Sequence, residues 1–312
     1  MQHCHFPETS QLKVGFTLIE LSIVLVIIGL IVGGVLAGQD LVRAAGERAQ
    51  ISQIEKFNVA VNTFRGKYGE IPGDMDTTTA TMYGFSPSIK FSGQVRNPNG
   101  NAGESDGNGI IEGTSSFASP TANCGNCIGA GEPVTFWDDL TYANGMNLNL
   151  VEGIYDVDNN CPWACGNIPN YNGAAITGTL VGLFFPSAKI GGANWVYVYS
   201  KNNINYYGLS PISSIAYQVA TAQPGLSVKQ AYDIDQKIDD GFPQSGNVIA
   251  QYINTTVVWA AGGGANGASP GSTTSSSSTT CYDNGGNGGI EQYSITQNNG
   301  SGTNCALSFK FQ

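Results

Sequence analysis

The residues in this 312-residue chain whose types and spacing could do chemistry are seven cysteines, two histidines and several groups of carboxylates. Cys124-Gly125-Asn126-Cys127 is followed by Cys161 and Cys165. In a reducing compartment such a CxxC/CxxxC set could hold zinc, whereas an oxidising one favours disulfides. A thioredoxin-type role lacks the βαβ surroundings it needs. Asp106-Gly107-Asn108-Gly109-Ile110-Ile111-Glu112 puts oxygen ligands at alternating positions with glycine between them, like the opening of a calcium loop. Asp106, Asn108 and Glu112 are therefore candidate Ca2+ ligands. Glu112 falls short of the twelfth position that closes an EF-hand, and a turn-rich loop is the plainer account. Asp156 and Asp158 form a weaker pair. Asp233, Asp235, Asp239 and Asp240 crowd one short stretch, read as a solvated acidic face, with a cation site as the alternative.

The elements around these residues start with the N-terminus. Residues 1–15 are polar, and from Phe16 to Gly38 the chain reads FTLIELSIVLVIIGLIVGGVLAG, with Glu20 its one ionisable side chain. A helix needs about 20 residues to cross the hydrocarbon of a bilayer, and this run is long enough. It is too long for the apolar region of a cleaved secretory signal. An ordinary anchor fits the length but leaves Glu20 unexplained, because a carboxylate in hydrocarbon costs at least a few kcal/mol. A third reading is a precursor cut just before the apolar run.

Gly15-Phe16-Thr17-Leu18-Ile19-Glu20-Leu21 resembles the type IV prepilin cleavage motif: a short polar leader ending in Gly, then Phe, then an apolar stretch with Glu early in it. The resemblance implies cleavage between Gly15 and Phe16 by a prepilin peptidase in the bacterial inner membrane and N-methylation of Phe16. It also implies pairing of Glu20 with the Phe16 ammonium of a neighbouring subunit. At about 4 Å such a pair gains about 4 kcal/mol at an effective dielectric near 20, before desolvation is subtracted. Glu20 snorkelling to the membrane edge is the blander alternative.

Beyond Gly38, Ile54, Phe57, Val61, Phe64 and Tyr68 continue a helical stripe, and Gly69 and Pro72 supply a stop. Gly29 and Gly33-Gly34 are points where such a helix could unwind in a packed filament. The expected organisation is a leader (1–15), a helix (16–69) with its membrane segment at 16–38, and a globular domain (70–312) with a flexible loop near 262–280. The fold class expected is α+β: a long N-terminal helix, membrane-spanning and then amphipathic, packed on an antiparallel sheet in a loop-rich domain. Leu180–Phe185, Trp195–Tyr199 and an interrupted run over Asn247–Trp259 read as strands. Ser227–Asp240 reads as a helix capped by Ser227 and ended by Gly241 and Pro243.

If the leader is removed, Cys4 goes with it and six cysteines remain, an even number suited to the oxidising side of the membrane. Cys281 and Cys305 are close enough in sequence to close a C-terminal loop, as in many pilins; how Cys124, Cys127, Cys161 and Cys165 pair stays open. His3 and His5 leave as well, which removes Ser-His-Asp and Cys-His catalysis. No Walker loop or dinucleotide fingerprint is present, so no enzyme is expected. The formal charge of −10 disfavours sequence-independent nucleic-acid binding. The resemblance thus implies a minor pilin or pseudopilin of a type IV pilus or type II secretion filament. Its partners would be other such subunits, the prepilin peptidase and the inner-membrane assembly platform, with the domain periplasmic or on the cell surface. The alternative function is a membrane-anchored or pilus-tip adhesin or receptor.

Overall fold

Helix α1 (Leu18–Tyr68) runs unbroken through Gly29, Gly33 and Gly34 and stops one residue before Gly69, whose N–H still reaches the Arg65 carbonyl at 2.8 Å. In this computed structural model the described residues are 17–85, 105–114, 123–124, 127–129, 131–143, 146–147, 151, 176–216, 219–254, 257–260, 276–285 and 289–311. The chain divides into two compact units, Met1–Ala45 and Gly46–Gln312. In the first, every residue from Thr17 to Ala37 is exposed. In the second, the predicted stripe of Ile54, Phe57, Val61, Phe64 and Tyr68 is buried, and Glu47, Gln50 and Gln53 extend it.

Those polar extensions replace backbone partners. Gln53 donates to the Ser187 carbonyl at 3.0 Å and accepts from the Lys189 N–H at 3.1 Å, while Gln50 accepts from the Ile190 N–H at 3.2 Å. Glu47, 2 % exposed, meets the Lys237 ammonium at 2.6 Å. Gln53 is tolerated in the interior because both ends of its carboxamide are bonded, and Gln50 and Glu47 each enter it with one side-chain oxygen engaged.

The sheet is antiparallel throughout. Its strands are β1 (Asn194–Lys201), β2 (Ile204–Ala216), β3 (Val219–Ala222), β4 (Val248–Ile249), β5 (Gln251–Asn254), β6 (Val257–Ala260) and β7 (Leu307–Lys310). The order is β6-β5-β3-β2-β7-β4, with β1 also paired to β2. The first part of β2 is flanked by β1 and β7; past a register shift between Ile212 and Ser214 its end pairs with β3. An α+β architecture follows, with α1 contributing one face of the core: the Phe57 ring stands edge-on to Trp137 at 4.9 Å and lies 5.9 Å from Tyr207. Among the described residues three shorter α-helices accompany α1: α2 (Thr77–Tyr83), α3 (Glu132–Thr141) and α4 (Val228–Ile238). α4 starts as expected, Ser227 and Gln230 forming a reciprocal capping box.

Two expectations need correction. Leu180–Phe185 is not a strand, because Gly178–Leu183 forms a 3-10 helix. Val181, Phe184 and Phe185 are the buried positions, a spacing of three and four that a pleat cannot present to one side. The acidic stretch is a solvated face only in part, with Asp240 exposed and Asp233 and Asp239 half-buried. Asp235 is fully buried, accepting from the Tyr293 hydroxyl at 2.7 Å and the Gly241 N–H at 3.2 Å. Asp239 accepts from the N–H groups of Asn247 and Val248, and Asp240 from Phe242 N–H and Ser245 Oγ. These acids fold the turn after α4.

Gly208 on β2 faces Tyr197 on β1 in register. A Cβ there would sit 2.1 Å from the Tyr197 ring, which is itself fixed by a 2.9 Å hydroxyl bond to Ser210. Gly208→Ala is therefore expected to cost about 1–3 kcal/mol by overpacking. The melting temperature should drop by roughly 3–10 °C with the antiparallel sheet signature of circular dichroism retained at low temperature.

Candidate functional site

Two regions carry groups whose surroundings differ from those of an ordinary surface. The first is the start of α1. Thr17 donates to Glu20 Oε2 from both its N–H (2.7 Å) and its Oγ1 (2.8 Å), and Glu20 N–H returns to Thr17 Oγ1 at 3.3 Å. This reciprocal cap satisfies helix-end donors. It occupies only one carboxylate oxygen; among the described residues Glu20 Oε1 receives no hydrogen bond. Downstream, an 18-residue window of α1 reaches a mean hydropathy of 2.7 with none of it buried. Leu18, Leu30 and Leu36 are 88 %, 72 % and 60 % exposed. A helix apolar all round its circumference needs hydrocarbon or other protein around it. By length and composition this one can cross a membrane.

The second region lies at the far end of α1, in the folded unit. Asp74, just past the helix stop, accepts from Gly107 N–H at 3.0 Å and from Gly109 N–H at 2.6 Å. Both glycines have positive φ, 78° and 85°, which turns their N–H groups toward the acid. Glu132, the first residue of α3, holds both ends of the same loop, accepting from Ser105 N–H at 2.8 Å and Glu112 N–H at 2.7 Å. Asn205 on β2 adds a third clamp, accepting from Ile111 N–H and donating to the Gly109 carbonyl, each at 2.8 Å. Ser105 Oγ donates to the Gly73 carbonyl at 2.6 Å, and Asp139 accepts from Gly73 N–H at 2.8 Å.

One oxygen each of Asp74, Asp106 and Glu132 lie within 4.8 Å of one another. Burial pushes the Asp74 carboxyl up to about 8 against the two glycine N–H groups that lower it, and the neighbouring Asp106 charge raises it further. Glu132 is raised well above the usual carboxylate range, first by burial and then by Asp74. Three acids so placed can hold protons among themselves or take up a hard, oxygen-seeking cation such as Ca2+.

Of the sequence-predicted ligands, Asp106 lies in this group. Asn108 Oδ1 is turned to Ile110 N–H at 2.6 Å, and Asp106 Oδ1 accepts from Asn108 N–H at 3.1 Å. Glu112 is buried, and its carboxylate bears on Glu132. Sequence reasoning missed Asp74 and Glu132, which join the loop only through tertiary contact. The one local sign was an acid placed directly after the helix stop.

Cys281 and Cys305 form a disulfide with Cα atoms 5.0 Å apart. Cys127 is buried and disulfide-bonded, which leaves it no thiolate for zinc. Cys124 contributes backbone to a short hairpin pairing with Gly113. Gly15, Phe16, Cys161, Cys165, Asp156, Asp158 and loop residues 261–275 lie outside the described residues. No family model, no curated protein and no solved structure matches the chain.

Asp74 binds its proton more tightly folded, at about 8, than at its ordinary 3.8, so the stability this contributes is complete below pH 4 and is lost as pH rises toward 8. In EDTA, the melting temperature should fall by at least about 3 °C between pH 5 and pH 8. Asp74→Asn should flatten that slope. Calcium added at pH 8 distinguishes a cation from protons, since only a bound cation raises the unaltered chain's melting temperature without raising that of the Asp74→Asn variant.

Proposed function

We propose that this chain is a structural subunit, minor in abundance, of a type IV pilus or type II secretion filament. The observation that carries the reading is the bare apolar part of α1 with Glu20 near its start. Every backbone group within such a helix is satisfied internally, so it can reside in lipid before assembly and among neighbouring helices afterwards. Glu20 Oε1, which accepts no hydrogen bond among the described residues, is available at the helix start for the cationic terminus of a neighbouring subunit. A carboxylate kept in an apolar layer is costly unless it is paired in this way.

On this reading the precursor enters the bacterial inner membrane as a single-pass protein with residues after α1's apolar segment on the periplasmic side. Prepilin peptidase cuts between Gly15 and Phe16, and Phe16 is N-methylated. The assembly platform then draws the subunit into the filament. The size of the folded unit supports a sparse position, since a large domain at every lattice point would crowd a filament. Disulfides at Cys281–Cys305 and at Cys127 fit an oxidising compartment.

Mass spectrometry of the protein from its native membrane should find a chain starting at methylated Phe16. A retained Met1, or a start elsewhere, overturns the proposal. Glu20→Leu should be cleaved normally yet enter filaments about tenfold less, which corresponds to ~1.4 kcal/mol of lost docking. Replacing Gly15 by a bulky residue should leave uncleaved precursor in the membrane.

A further inference from the structure

A cavity of about 480 Å³ opens beside the buried half of α1, lined by Asn58, Asn62, Ile204, Asn247, Lys310 and Phe311. Asn58 and Asn62 are one helical turn apart and so project from the same side of α1. Asn247, just before β4, has its carbonyl held by Lys310 N–H at 2.8 Å, which fixes it beside the last residue of β7. The Lys310 ammonium donates to the Gly246 carbonyl at 2.5 Å, and its other two protons meet no acceptor among the described residues. Phe311, partly buried, is stacked on Tyr207 with ring centroids 4.3 Å apart, so its ring is fixed before any ligand arrives.

Two properties separate this cavity from the rest of the molecule. Among the described residues no carboxylate lines it, in a chain with a formal charge of −10. Among the described residues, none bonds to the carboxamide groups of Asn58, Asn62 or Asn247. Each carboxamide offers donors and an acceptor side by side, the combination that adjacent hydroxyl groups require. Ile204 and the Phe311 ring provide an apolar wall for C–H groups. The one ammonium selects for a negative charge. A single cation is too little for a nucleic-acid backbone, whose binding scales with the number of phosphates neutralised.

We propose that this cavity binds a saccharide that carries a carboxylate. Its hydroxyls pair with Asn58, Asn62 and Asn247, its acid group meets Lys310, and a ring face rests on Ile204 and Phe311. The site lies wholly within Gly46–Gln312 and does not rest on the filament reading. Its test needs no assembly, so the two can fail separately.

The full chain in detergent is titrated calorimetrically with trigalacturonate and with the uncharged galactotriose. Saturable binding of trigalacturonate, at least about tenfold tighter than galactotriose, is expected. Lys310→Gln should erase that preference, and Asn58→Ala/Asn62→Ala should weaken binding of both sugars about tenfold or more. Asn62 is exposed and Asn58 and Lys310 are only partly buried, so an unchanged melting temperature verifies that the variants fold. Equal affinity for both sugars in the unaltered chain overturns the charged-ligand assignment. Absence of saturable binding, or binding indifferent to these substitutions, overturns the site.

Discussion

The chemistry of α1 changes near Gly46, and the rest of the molecule is arranged around that change. Up to Gly38, side chains almost all apolar are exposed on every side of the helix, and Asp40 and Arg43 then pair on its surface as the change begins. After it, a stripe of Ile54, Phe57, Val61 and Phe64 is sealed beneath the sheet and α3, and Gln50 and Gln53 serve as substitute backbone for the segment 187–190. Hydrogen bonding within a helix is indifferent to solvent, so one continuous element can satisfy two surroundings as long as its side chains are sorted along its length. That sorting puts a stretch long and apolar enough to cross a membrane and a core strut on one piece of chain.

Within the folded unit, buried acids do work that hydrophobic contact alone could not. Glu132, Asp74 and Asp235 each collect backbone N–H groups from a loop that has little apolar side chain to bury. A charged acceptor gives stronger bonds than a neutral one, but burial makes the charge itself costly, and the upward shifts of Asp74 and Asp235 record that opposition. Loops rich in glycine and asparagine gain a defined shape from these acids, as the core gains one from its aromatic rings.

The parts of the fold that depend on near neighbours in sequence were legible. The helix stripe from Ile54 to Tyr68, the Ser227 cap and the apolar run of β1, buried on both faces, all follow from residues within a short stretch. The Leu180–Phe185 run misled because its residues are apolar enough for either structure, and the Trp195 ring that packs beside Gly182 is not adjacent to it in sequence. β2 escaped notice because Pro211 and its serines break the strand pattern, while pairing on both edges keeps it extended. The acid group at Asp74, Asp106 and Glu132 was half legible. The loop motif pointed to Asp106, but its two buried partners come from elements far away in sequence, and apart from the position of Asp74 after the helix stop they carry no local mark.

β7 occupies an interior place in the sheet, wedged between β2 and β4, although both precede it in the chain by a long interval. During synthesis the two earlier strands must wait with unsatisfied edges until residues 307–310 emerge. Closure of the sheet is thus a late, long-range event that the growing N-terminal half cannot complete alone. The cystine joining Cys281 to Cys305 ends two residues short of β7, and so tethers the final strand near its slot as it arrives. A chain interrupted anywhere before Leu307 would lack the wedge that joins β2 to β4.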